Sequence, residues 1–267
     1  MARDAGDGTV GKALAVLDLV AGFGRPVRFT EVLAEAEFPK PTLYRLCQTL
    51  VNQRMLSYDD ERQTYAPGLR LVRLAHAAWE QSTLAPIARP HIDALSAETG
   101  ETVHLAQLDA AHVLYIDKRN ANSPVRMFSQ AGKVGPAYCT GVGKAMLAYM
   151  AAEAVEPLIA QQSFHRFTSA TLTSQTALRA ELRDIRAAGY AFDREEHEPG
   201  IICIAMPILA TGGRVLGAVS VTSTTGRTTL AGLETYEPIL RDTVEKIAGE
   251  ARSWSFPDMQ HHEQAES

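Results

Sequence analysis

TEVLAEAEFPKPTLYRLCQTLVNQRMLSYDDERQTYAPG, residues 30–68, reads as two short helices joined by a tight turn and followed by a small hairpin, a winged helix-turn-helix. The second helix begins at Pro39-Lys40-Pro41-Thr42. Behind that start Leu43, Leu46, Cys47, Leu50 and Val51 recur at helical spacing and form one buried stripe. The far side carries Arg45, Gln48, Thr49 and Asn52, side chains suited to phosphates and base edges. In a DNA reading the helix N-terminus faces a phosphate, and Lys40, Pro41, Thr42, Tyr44, Arg45 and Gln48 sit in the major groove or on its rim. Arg62 in the wing touches the backbone. The bland alternative is a structural helical bundle or a winged protein-interaction module, and the polar outer face favours DNA.

Charge sharpens that expectation. The 267-residue chain holds 26 Lys and Arg against 31 Asp and Glu, a net charge of −5. Residues 1–80 contain ten of each, leaving 16 basic and 21 acidic residues in the remainder, so the negative excess lies outside the winged segment. From Phe38 to Tyr58 the chain has Lys40, Arg45 and Arg54 and no acid, a local electrostatic footprint for a polyanion. Cys47, Cys139 and Cys203 lie far apart without paired metal spacing, which suits free thiols in a reducing compartment. With no secretory pattern and no run of about 20 apolar residues, a soluble cytoplasmic protein without a membrane partner is expected.

Outward from the winged segment, a first helix starts near Thr9 with Val10, Ala13, Leu14, Leu17, Val20 and Ala21 on one face, stopped by Gly22 and Gly24. Thr30 is the expected N-cap of the second helix, with Val32, Leu33 and Ala36 inward. After Pro67-Gly68 comes an apolar helical segment, Leu69 to Trp79, suited to a dimer contact or interdomain packing. From Glu101 the period alternates, and strands are expected at Thr102–Leu108, Val113–Asp117, Val125–Ser129, Ala191–Glu195, Cys203–Leu209 and Val215–Thr222. Helices are expected at Val142–Met150, Gln175–Ala188 and Leu230 to about Trp254. The class is α+β with a mainly antiparallel sheet: a winged domain at 9–67, a linker helix at 68–82, a sensor-like domain at 83–254 and a disordered tail at 255–267.

The sensor-like domain carries the chemistry. Thr140-Gly141-Val142-Gly143-Lys144 is not a Walker A loop, since Tyr138 stands where its first glycine belongs and Ala145 follows the lysine. The same glycines open a helix whose free N–H groups suit a small carboxylate, the bland reading being a plain glycine turn. Cys203 reads as a small hydrophobe. A cysteine-dependent hydrolase would need a placed base, and His104 and His197 are candidates only by possible proximity. Asp193, Cys203 and His197 form too loose a set for a metal site, and Glu195-Glu196-His197-Glu198 reads as a solvated charged loop. Neither cofactor nor metal is implied.

Four separated blocks resemble the isocitrate lyase regulator (IclR) family of bacterial transcription factors: residues 39–46, PKPTLYRL; 140–145, TGVGKA; 189–196, GYAFDREE; and 200–207, GIICIAMP. The resemblance runs from about Thr9 to Trp254. It implies a winged helix, a linker helix and a GAF-like effector domain, assembled as homodimers and often dimers of dimers on palindromic double-stranded DNA. It also implies a small organic acid effector, held by backbone groups at Gly141 and Val142 and by side chains of Asp193, Cys203, Ser220 and Thr222. Ser220 and Thr222, two apart on one strand, share a face, as a common cavity requires. The sequence departs from the commoner pattern at Ile202 and Tyr138, changes expected to bear on effector identity. Thr222 keeps a hydroxyl and adds a methyl group.

Overall fold

The computed structural model describes residues 8–82, 84–123 and 127–251, and it divides into two compact units, one ending at Gln81 and the other beginning at Ser82. The first contains α1 (Gly8–Gly22), β1 (Val27–Arg28), α2 (Phe29–Glu35), α3 (Lys40–Asn52), β2 (Leu56–Asp59), β3 (Thr64–Pro67) and α4 (Leu69–Ser82). Its core joins Val16, Leu17 and Val20 of α1 to Val32, to Leu43, Leu46, Cys47 and Leu50 of α3, and to Leu56 and Tyr65 of the wing. Each buried leucine or valine contributes about 1.5–3 kcal/mol of transfer free energy, so the α3 stripe fixes how the helix is presented. On α1 the buried face is centred on Val16, while Val10 and Leu14 are exposed, contrary to the expected stripe. The expected N-cap is displaced too. Arg28 is the N-cap of α2, and its N–H donates to Glu31 Oε2 at 2.8 Å.

Pro39 caps α3 and Pro41 occupies its first turn, where a missing N–H costs nothing. The wing is a hairpin with Ser57 opposite Ala66 and Tyr58 opposite Tyr65, and β1 adds a third strand against β3. Asp59 Oδ1 accepts the N–H groups of Glu61 and Arg62, both at 3.0 Å, and so shapes the turn. At Gly68 any Cβ would strike the Arg54 carbonyl, and Arg70 Nη1 donates to the Gln53 carbonyl at 3.1 Å. These two contacts lock the start of α4 onto the end of α3. The side chain of Trp79 lies outside the described residues.

The second unit contains α5 (Ala85–Thr99), β4 (Thr102–Asp109), β5 (His112–Arg119), β6 (Val134–Pro136), α6 (Gly141–Tyr149), α7 (Ala152–Ala160), α8 (Gln175–Ala188), β7 (Ala191–Arg194), β8 (Ile201–Leu209), β9 (Val215–Thr224), α9 (Leu230–Glu234) and α10 (Glu237–Glu250). Its six strands form an antiparallel sheet in the order β6-β5-β4-β9-β8-β7. Alternation divides the faces. Val103, Leu105, Ile202, Ile204, Val219 and Val221 point to the side where α5 and α10 pack. Ala106, Ala218, Ala205 and Ala191 point to the other, and these small side chains let α6 lie close against the strands, covered by Leu178, Leu182 and Ile185 of α8.

Two expectations are corrected and one helix is added. Met127–Ser129 is not a strand, and residues 124–126 are outside the described set; the edge strand is Val134–Pro136, paired with β5. The last helix is broken at Thr235–Tyr236, with Pro238 in the first turn of α10, and Trp254 and the 255–267 tail lie outside the described residues. The helix Ala152–Ala160 had no sequence signal strong enough to call attention to it, because Pro157 sits inside it.

Candidate functional site

On the first unit, Lys40, Pro41, Tyr44 and Arg45 are exposed on the outer face of α3, Thr42 and Gln48 are half-buried beside them, and Arg62 projects from the wing. Tyr44 is held edge-on to Phe29 at 5.9 Å, which orients its phenol outward. Thr49 is less available than its position suggests, since its hydroxyl donates to the Arg45 carbonyl at 2.9 Å. Arg62 stands 3.9 Å from Asp59 at high exposure, a pair too solvated to hold it back from a phosphate.

The second unit holds a partly open cavity of about 30 Å³ that draws all six residues named for an effector into one place. Strand register explains the convergence. Asp193, Cys203 and Thr222 lie side by side across β7, β8 and β9, and His104 and Ser220 form the neighbouring pair across β4 and β9. Gly141 and Val142 open α6 directly above that row. A Cβ on Gly141 would fall well inside contact with Cys203 Sγ, and one on Gly143 would collide with the backbone of Ala137. The glycines are therefore required by close approach of the helix start to sheet and loop. Thr140 is the N-cap of α6, yet its hydroxyl donates to the Pro136 carbonyl at 2.8 Å instead of capping the helix. Among the described residues the first-turn N–H groups have no side-chain acceptor.

Burial governs the electrostatics. Asp193 is pushed up to about 7, first by burial and then by the charge of Glu196, while its Oδ1 accepts the Glu196 N–H at 2.8 Å. Burial, with Asp193 nearby, drives the Cys203 thiol upward, the opposite of what a nucleophile needs. His104 is held down to about 3 by burial and by the Lys118 ammonium, so its ring is neutral.

The loop after β7 is not the solvated run its composition suggests. Glu196 is buried and, with Glu181 at 2.9 Å, clasps Lys144, which is itself fully buried on α6. Arg194 adds a bond to Glu181 at 2.7 Å. This cluster ties the loop to α6 and so sets where Asp193 stands. Lys144 carried only its rejected nucleotide reading in the sequence, and nothing there pointed to Glu181 as its partner.

The cavity also exposes residues that sequence reasoning missed or treated as peripheral: Tyr115, Phe128, Ser129, Thr140, Glu198 and Ile201. Phe128 and His197 pack edge to face at 5.0 Å, and the Phe128 N–H donates to Glu198 Oε2 at 3.0 Å, so residues 128–129 and 197–198 form one wall. Neither Ile202 nor Tyr138 lines it. Ile202 faces the opposite side of the sheet from Cys203, and Tyr138 is fully buried with its hydroxyl donating to the His165 carbonyl. Their departures from the commoner pattern therefore do not act on this cavity by contact.

Comparison with known proteins agrees across both units. The IclR helix-turn-helix domain matches residues 9–60, and the bacterial transcriptional regulator IclR C-terminal domain matches residues 76–249. The HTH-type transcriptional regulator KdgR of Escherichia coli K12 is 30% identical over 251 residues, covering 93% of this chain and 95% of that protein. The Thermotoga maritima IclR crystal structure superposes with a TM-score of 0.72 at 27% identity, covering 91% of this chain and 98% of the other. An IclR homolog from Microbacterium hydrocarbonoxydans, crystallised with 4-hydroxybenzoate, superposes with a TM-score of 0.77 at 22% identity, covering 92% and 100%. A winged reading head, an antiparallel sensor sheet and matches to both domain models lead to one conclusion: the chain belongs to the IclR family of helix-turn-helix transcriptional regulators.

Proposed function

We propose that this regulator binds palindromic duplex DNA as a homodimer, or as a dimer of dimers, and changes its operator occupancy when a small organic acid enters the cavity of the second unit. In the groove, Arg45 and Gln48 reach base edges or phosphates, Lys40, Pro41, Thr42 and Tyr44 lie along the rim, and Arg62 grips the backbone from the wing. The apolar residues left exposed on α4, Leu69, Val72 and Leu74, support pairing with a second copy.

The carrying observation is the uncapped start of α6. Gly141 and Val142, at that helix start, line the same cavity as Ser220 and Thr222, and in this reading their N–H groups and the two hydroxyls together make a neutral cradle for a carboxylate. Asp193 then accepts a hydrogen bond from a hydroxyl elsewhere on the ligand, and Cys203 forms the wall against which Gly141 packs. A relative crystallised with 4-hydroxybenzoate, which bears both a carboxylate and a hydroxyl, supports this class of guest. No catalytic step and no cofactor enter the scheme. Ligand binding shifts DNA affinity only to the extent that it prefers one arrangement of the paired reading heads, and α4 is the element that connects the two units.

The test is a thermal-shift panel of formate, acetate, glycolate, lactate, pyruvate and 4-hydroxybenzoate, followed by footprinting on DNA adjoining the gene. At least one acid should raise the melting temperature and alter the footprint. Asp193→Ala should abolish that response while ligand-free DNA binding persists. Absence of any acid effect, or of sequence preference over random duplex at physiological salt, defeats the proposal.

A further inference from the structure

His104 stands on the cavity wall with three hydroxyl groups about its ring. Nδ1 lies 3.2 Å from Thr222 Oγ1 and 3.4 Å from Ser220 Oγ, the two hydroxyl oxygens are 3.2 Å apart, and Nε2 lies 2.8 Å from Ser129 Oγ. The ring is 2% exposed. Buried beside the Lys118 ammonium, it stays neutral throughout the physiological range. A neutral imidazole has one N–H and one lone pair, so its two nitrogens must play opposite parts.

Counting protons gives two closed arrangements. With hydrogen on Nε2, Ser129 accepts, and Nδ1 requires a proton from Ser220 or Thr222; the hydroxyl pair then has one O–H left for a guest. With hydrogen on Nδ1, the imidazole donates to the pair, both hydroxyl protons are released toward the cavity, and Ser129 must donate to Nε2. A carboxylate gains from two donors and a neutral amide does not need them.

We propose that His104 is a specificity-determining positioning residue whose tautomer is selected by the guest: an anionic ligand draws the ring into the Nδ1–H form and turns Ser129 from acceptor into donor. This rests on the placement of the ligand carboxylate at Ser220 and Thr222 given above. Ser129 adjoins Phe128, whose N–H is held by Glu198, so the reversal reaches the other wall of the cavity.

The experiment uses the full chain with ¹⁵N-labelled histidine and long-range ¹H–¹⁵N correlation, which distinguishes the two neutral tautomers. His104 is assigned by the signals lost in His104→Leu. The probe is sodium glycolate, or whichever acid of the panel gives the largest thermal shift, with its primary amide as the neutral control. Acid should bring His104 to the Nδ1–H pattern and the amide should not, and His104→Leu should weaken acid binding about 10-fold or more. If the acid binds while His104 keeps the Nε2–H pattern, or if the Nδ1–H pattern is already complete without ligand, the inference is overturned and the effector site stands. If no acid in the panel binds, the site and the inference fall together.

Discussion

Asp193→Asn isolates the most perturbed carboxyl of the cavity. The side chain keeps its shape, and its oxygen can still accept the Glu196 N–H now bonded at 2.8 Å. What disappears is a titration. Burial, reinforced by the charge of Glu196, holds the native group near about 7 against an ordinary 3.8. A raised acid binds more protons in the native than in the unfolded chain between those values, so its stabilising contribution is complete below the unfolded value and declines as pH rises toward 7. At about 1.36 kcal/mol per pH unit, tapering as the native group itself ionises near 7, the native protein should lose about 2 kcal/mol from this group between pH 5 and pH 7, and little more beyond. Urea melts followed by circular dichroism at a fixed protein concentration, from pH 5 to pH 8, provide the assay. Subtracting the Asn variant removes the pH dependence that the two proteins share. On acidification from pH 7 to pH 5 the native protein should gain about that amount relative to the Asn variant. Parallel pH profiles for the two would refute the assignment of the raised carboxyl to Asp193.

Three further outcomes follow from residues outside that titration. Arg45→Ala should weaken operator binding and reduce the slope of log affinity against log salt by about one per contacting subunit, with acid affinity unchanged; an unaltered slope removes Arg45 from the backbone contacts. Lys144→Met strands Glu181 and Glu196 without their buried cation and should cost about 3–5 kcal/mol, read as a fall in the urea midpoint; a near-neutral result would show the cluster to be dispensable. Gly141→Ala drives a methyl group into Cys203 Sγ and should cost about 1–3 kcal/mol, and Cys203→Ala in the same chain should recover part of the loss in a double-mutant cycle. Additive losses would place the strain elsewhere.

The winged unit was largely legible because its signals are local. Helical spacing from Leu43 to Leu50, prolines at a helix start and a polar turn between two short strands each act within one element. The α1 face was misjudged where Val10 and Leu14 matched the period yet remain exposed, since an amphipathic pattern does not name its partner. In the second unit the six residues expected to hold an effector were reached through family resemblance, and strand register is the physical reason Asp193, Cys203, Ser220 and Thr222 lie together. The buried Lys144 cluster and the contacts of the His104 ring escaped because they depend on neighbours such as Glu181 and Ser129, far away in sequence, that no periodicity announces. The expected strand failed over the described Met127–Ser129 for a related reason: β-branched and aromatic composition resembles an edge strand even where the pairing partner is taken by Val134–Pro136.

Thr140 has one further consequence. Its hydroxyl is turned to Pro136, so on the proposed reading the opening turn of α6 is finished by the ligand that arrives, much as an unfilled socket is completed by its plug. Resting stability and responsiveness are then opposed at a single side chain. A substitution that let residue 140 cap its own helix would harden the empty protein and blunt its hearing, so laboratory selection for heat tolerance alone should drift toward regulators that no longer answer.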